Sequence, residues 1–178
     1  MTRIHIRNMV FAAMFLTIGL LLPILTPPPV LAPMFLPMHI PVLLCGIILG
    51  MRYGFIVGAI LPLLRSLLFV FPIFPAMAAP MAFELATYGL VIGLLYARLP
   101  KTIPMLFASL VGAMLAGRVV FAAAFSIING LPEAPFAHFA TTMFVTGWPG
   151  IAIQLVLVPA IIIALRRMGW RSAKEQAV

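Results

Sequence analysis

Six long apolar runs, separated by short connections, cover almost all of this 178-residue chain. They lie near residues 8–25, 38–50, 54–70, 80–97, 104–129 and 138–165. A helix needs about 20 apolar residues to cross a hydrocarbon core about 30 Å thick. The runs therefore predict an all-α, polytopic membrane protein with six transmembrane helices, folded as one domain over residues 1–178. With 65% hydrophobic and 8% charged residues, the composition excludes an ordinary soluble domain.

The basic residues fall at alternate connections between the runs. They lie before the first run, between the second and third, between the fourth and fifth, and after the sixth: Arg3, Arg7, Arg52, Arg98, Lys101, Arg166, Arg167, Arg171 and Lys174. Six crossings place all of them on one face, which the positive-inside rule makes cytoplasmic. We therefore predict that both termini are cytoplasmic. This topology also explains the net charge of +8 without nucleic-acid binding.

A proline-rich segment follows the first run. Its prolines are Pro27, Pro28, Pro29, Pro33, Pro37 and Pro41. Proline removes a backbone donor, so residues 26–41 are not expected to form regular helix. The next run, 38–50, would rise only about 18 Å and is too short to cross alone. Irregular backbone at membrane depth is tolerated where it lines a cavity, which predicts a non-helical outer loop that roofs a pocket.

Four ionisable side chains inside the runs fall at one depth, about 20 Å above the cytoplasmic ends at helical rise. They are His39, Arg65, Glu84 and Arg118. Charged groups at this depth cost about 2.5–3.5 kcal/mol unless they are paired or wetted. Two arginines facing one glutamate would leave one positive charge, which favours a pocket for an anionic ligand. The alternative is an ion pair of Glu84 with Arg65 or Arg118 that only holds the helices together.

Helical spacing adds further polar candidates at the outer side. Tyr88 shares a face with Glu84, Asn129 returns to the face of Arg118, and Trp148 and Gln154 lie on the last run. The predicted substrate-binding set is His39, Arg65, Glu84, Tyr88, Arg118, Asn129 and Trp148. Tyr88 and Trp148 could instead be core or interfacial aromatics.

Motifs for chemistry are missing from the sequence. It contains no G-x-x-x-x-G-K-[ST], H-E-x-x-H or G-x-S-x-G motif, no Asp, and a single cysteine, Cys45. We therefore predict that the protein is not an enzyme and holds neither a cofactor nor a metal of its own. Rows of small residues at spacing four, such as Gly46, Gly54 and Gly58, fit either internal helix packing or a partner interface.

Four segments carry a family resemblance. They are LPMHIPVLLCG at 36–46, RYG at 52–54, PLLRS at 62–66 and AFELATYG at 82–89, joined by Gly117-Arg118 on the fifth run. Together they resemble the substrate-binding S components of energy-coupling factor (ECF) transporters, in the group for pantothenate, hydroxymethylpyrimidine and cobalamin precursors. The resemblance extends over nearly the whole chain.

The resemblance implies a function and partners. Such proteins lie in the bacterial plasma membrane and bind a water-soluble vitamin or precursor in an outer pocket, capped by the loop between the first two helices. They deliver it with a membrane coupling subunit and two cytoplasmic ATPases, which use the ATP. Small residues on the first helix touch the coupling subunit in the family, and here Ala13 and Thr17 are the matching positions.

The substrate and two other functional classes stay open at this point. Arginine binds carboxylates bidentately, so pantothenate is the first substrate prediction, with hydroxymethylpyrimidine and a cobalamin precursor as alternatives. A self-sufficient, homo-oligomeric small-molecule carrier would need no ATPase partners. A structural membrane subunit would bind no ligand.

Overall fold

The computed structural model describes residues 3–25, 35–130 and 147–169. Within these ranges the helices are α1 (Arg3–Leu25), α2 (His39–Leu49), α3 (Met51–Phe69), α4 (Ala78–Arg98), α5 (Ile103–Asn129) and α6 (Trp148–Arg167), and no strand occurs there. The all-α prediction is confirmed for this part of the chain. All of these helices except α2 are long and apolar enough to cross a membrane. The six-crossing count and the cytoplasmic termini stay predictions.

The observed helices follow the predicted runs, with differences at their ends. α1 begins at Arg3, before the predicted start at residue 8, so Arg7 belongs to the helix. α6 begins at Trp148, and the predicted first part of that span, 138–146, lies outside the described residues. The same holds for residues 26–34 of the predicted outer loop.

The short helix α2 lies at the centre of the bundle. It has 11 residues, and all of them except Ile48 are buried. It packs against α1, α3, α4 and α6. Its first turn contains Pro41, which corrects the prediction that the irregular segment extends to that proline. Proline is tolerated there because the first backbone N–H groups of a helix have no intrahelical partner.

Two glycine positions determine how α2, α3 and α4 fit together. Gly50 connects α2 to α3 with φ +93°, a backbone conformation that glycine adopts without strain. Gly89 of α4 meets Gly54 of α3 so closely that a Cβ on Gly89 would lie 2.1 Å from the Gly54 carbonyl oxygen. These small residues therefore bring α3 and α4 into backbone contact, as expected for internal packing rather than for a partner surface.

The cytoplasmic ends of α4 and α6 are joined by a polar contact. Arg166 of α6 donates from Nη2 to the Tyr96 hydroxyl of α4 at 2.6 Å, and from Nη1 to the Lys101 carbonyl at 2.6 Å. The Lys101 ammonium lies over the Tyr96 ring, 3.8 Å from its centroid. This contact fixes the vertical register of α6 relative to α4.

An apolar core connects that contact to the outer half of the bundle. It includes Leu43 and Ile47 of α2, Ile92 of α4, and Val158 and Ile162 of α6, all buried. Its outermost aromatic member on α4 is Tyr88, one turn from Glu84. The polar site described next therefore lies directly on the outer side of this core.

Candidate ligand-binding site

Glu84 is the centre of a buried polar cluster formed by three helices. Its Oε1 accepts a hydrogen bond from the Tyr88 hydroxyl at 3.0 Å and pairs with Arg118 Nη1 at 2.9 Å. His39 Nε2 lies 3.7 Å from the same oxygen. We call His39, Glu84, Tyr88 and Arg118 the Glu84 cluster; all four side chains are buried. Four of the seven predicted site residues therefore lie together.

Local sequence explains why these four side chains meet. Glu84 and Tyr88 are four residues apart on α4 and so share a face. Gly117 on α5 lets the Tyr88 ring approach, since a Cβ at Gly117 would lie 2.0 Å from ring carbons of Tyr88. The next residue, Arg118, reaches Glu84 from the same helix turn. His39, the first residue of α2, places its ring 5.3 Å from that of Tyr88.

The charges inside the cluster largely compensate one another. The carboxylate of Glu84 and the guanidinium of Arg118 form a direct ion pair in a site with almost no solvent exposure. A buried pair of this kind is stable only when its geometry is good and further hydrogen bonds are made, and Tyr88 supplies one. The arrangement favours the interpretation of Glu84 as a paired residue, with Arg118 rather than Arg65 as its partner.

Arg65 lies in a different place from the one predicted. Its Nη1 donates to the Leu20 carbonyl of α1 at 2.9 Å, and its guanidinium lies 5.3 Å from the Phe69 ring centroid. No ion pair or hydrogen bond joins it to Glu84 in the described part of the chain. Arg65 shares the depth of the Glu84 cluster but sits on the α1–α3 side of the bundle, which corrects the expected convergence of both arginines on Glu84.

Asn129 and Trp148 are also not brought to the Glu84 cluster. Asn129 Nδ2 donates to the Ala76 carbonyl at 2.9 Å and to the Phe125 carbonyl at 3.2 Å, so it ties the end of α5 to the connection before α4. Trp148, at the start of α6, is 61% exposed. Their contact with a ligand stays a prediction.

Gln154 of α6 is a polar residue that the predicted set leaves out. It is fully buried, and neither its amide oxygen nor its amide nitrogen has a hydrogen-bond partner among the described residues. Both ring nitrogens of His39 share this condition within the same ranges. The signal in the sequence is a lone amide within an apolar helix, at the depth estimated for Glu84.

Comparison with known proteins identifies the family. The model of the family "ECF transporter, substrate-specific component" matches residues 7–162. The chain belongs to this family. No curated protein and no solved structure matches the chain.

Family membership confirms several predictions. The chain is a multi-pass plasma-membrane protein and the substrate-specific component of an ECF-type transporter, and the family is not a family of enzymes. Membership also implies that the protein binds a substrate and associates with the membrane and ATPase subunits of the ECF module. The family description names no substrate.

The predicted partner positions lie on an open face of α1. Ala13 and Thr17 are both exposed, and the Thr17 hydroxyl donates to the Ala13 carbonyl at 2.9 Å, so its polar group is satisfied within the helix. Only 17% of the most apolar stretch of α1 is buried, against 56% for α4. Whether Ala13 and Thr17 touch the coupling subunit stays a prediction.

Proposed function

We propose that this chain binds a water-soluble vitamin or vitamin precursor in the outer half of the membrane and delivers it as the S component of an ECF importer. The Glu84 cluster carries the proposal, because it gathers four polar side chains from three helices at a depth where single polar groups are costly. The family match supplies the transport context. The energy comes from ATP hydrolysed by the two partner ATPases.

The substrate within this class is set by the charge of the cluster. Pantothenate follows from two arginines facing one glutamate, but Arg65 contacts α1 and Arg118 pairs with Glu84. A carboxylate ligand would therefore have to share Arg118 with Glu84. A neutral ligand such as hydroxymethylpyrimidine needs no extra positive charge. The geometry thus favours a neutral ligand, and pantothenate is the charged alternative to test against it.

The first experiment is native mass spectrometry of the gently purified protein together with its partners. We expect one small molecule bound per chain and a complex with a membrane coupling subunit and two ATPases. A ligand-free homo-oligomer, with transport activity in vesicles that lack ATPases, would contradict the proposal and support the self-sufficient carrier.

A charge-balanced variant then separates the two substrate candidates. In Glu84→Gln/Arg118→Met both members of the ion pair lose their charge, so neither is left uncompensated. If the ligand is a carboxylate held by Arg118, pantothenate affinity falls by at least tenfold in this variant. Unchanged pantothenate affinity would remove Arg118 as a carboxylate ligand.

The open face of α1 is the surface that we propose for the coupling subunit. Ala13→Leu and Thr17→Leu should reduce ATP-dependent uptake several-fold while leaving ligand affinity in the isolated protein unchanged, since neither side chain contacts the Glu84 cluster. Ala123→Leu, at an exposed alanine on α5, is the matched control. Equal effects of all three substitutions would contradict a docking role for α1.

A further inference from the structure

Gln154 occupies a position that a structural role does not explain. Burying an amide without hydrogen bonds costs free energy, and helix α6 could carry an apolar residue there. The two buried residues that follow on the same face, Val158 and Ile162, are apolar and pack into the core with Tyr88. Across residues 3–25, 35–130 and 147–169, no group satisfies the amide of Gln154.

The register of α6 places Gln154 at the level of the Glu84 cluster. Arg166 of α6 contacts Tyr96 of α4, and the two helices run in the same direction. Gln154 and Glu84 each precede their helix's residue in this contact by the same number of positions, about 18 Å at helical rise. Because α6 packs against α2, whose first residue is His39, Gln154 lies on the side of the bundle where His39 enters the cluster.

Resting on the proposed function, we propose that Gln154 is a ligand-binding residue that reads a neutral edge of the substrate, with an N–H donor and an acceptor on neighbouring atoms, as in an aminopyrimidine. A primary amide presents one acceptor and two donors, so it pairs with such an edge through two hydrogen bonds. His39, whose ring nitrogens also lack hydrogen bonds in the described ranges, supplies a further group for the same ligand. The paired charges of Glu84 and Arg118 leave this recognition to neutral groups.

The proposal predicts opposite effects of one substitution on stability and on binding. Gln154→Leu removes the unsatisfied amide and keeps the approximate volume, so the ligand-free protein should melt about 4 °C higher. The same variant should bind hydroxymethylpyrimidine at least tenfold more weakly, because two hydrogen bonds to the ligand are lost. A residue that only stabilises the fold would show the reverse change in melting temperature.

The measurements are thermal unfolding of the ligand-free protein in detergent and calorimetric titration with hydroxymethylpyrimidine. Ser109→Ala is the control, since Ser109 is buried but already donates to the Met105 carbonyl at 2.7 Å; its affinity should stay within threefold of wild type. A lower melting temperature of Gln154→Leu, or an affinity within threefold of wild type, would overturn the role of Gln154. Wild-type protein that fails to bind hydroxymethylpyrimidine would overturn the ligand class.

The failure of this inference can be told apart from failure of the proposed function. Wild-type protein that co-purifies with another small molecule and with ATPase subunits would keep the transport function while rejecting the aminopyrimidine edge. Wild-type protein without any bound molecule or ATPase partner would reject both.

Discussion

The α4–α5 seam and the α1–α3 seam each contain one buried arginine, and they use it differently. Arg118 on α5 pairs with the carboxylate of Glu84 at 2.9 Å, inside a cluster to which α2 also contributes. Arg65 on α3 donates to a backbone carbonyl of α1 and lies near the Phe69 ring. Equal depth in the membrane therefore does not make two charged residues part of one site; the helix face that each occupies decides.

The difference has a consequence for function. The Glu84 cluster joins three helices through side chains, so a change in one member alters the surroundings of the others. The Arg65 contact joins two helices through a main-chain oxygen that stays in place whatever the side chain is. We expect ligand binding to depend on the first seam and to be largely independent of the second.

The largest effect is expected from Glu84→Gln. The substitution removes the carboxylate that compensates Arg118 in a buried site, and breaking such a pair costs about 3–5 kcal/mol in the free energy of unfolding. Unfolding by SDS titration in mixed micelles measures this loss. The double variant Glu84→Gln/Arg118→Met should recover much of it, because both charges are gone. A double variant as unstable as the sum of both single variants would show that the two residues are not coupled.

A smaller effect is expected from Gly117→Ala. The new Cβ would lie 2.0 Å from the Tyr88 ring, so Tyr88 must move away from its position beside Glu84. Overpacking of this kind costs about 1–3 kcal/mol, and ligand affinity should fall with it. Gly112→Ala is the matched control on the same helix, because the Cβ there meets only Leu95 Cδ1, at 3.3 Å. Equal losses for the two variants would argue against a role of Tyr88 packing in the site.

The fold was largely predictable because a membrane restricts what apolar runs can form. Run length gave the helices, and the short second run gave the short buried helix α2. The convergence of His39, Glu84, Tyr88 and Arg118 followed from depth and spacing along each helix. What depth could not give is rotation about the helix axis, because helices that are apolar on all sides carry no strong moment. Arg65 was therefore assigned to the wrong seam, and Gln154 was left out of the set.

The smallest effect is expected from Arg65→Met, and it tests the comparison most directly. The variant loses one hydrogen bond to the Leu20 carbonyl but also removes a guanidinium that is 8% exposed, and these contributions oppose each other. We expect the free energy of unfolding to change by less than about 1 kcal/mol and ligand affinity to stay within threefold of wild type. Calorimetric titration and SDS unfolding, with Arg52→Met at the exposed start of the same helix as control, measure both quantities. A tenfold loss of affinity in Arg65→Met alone would place Arg65 back at the ligand, and the two seams would then form one site.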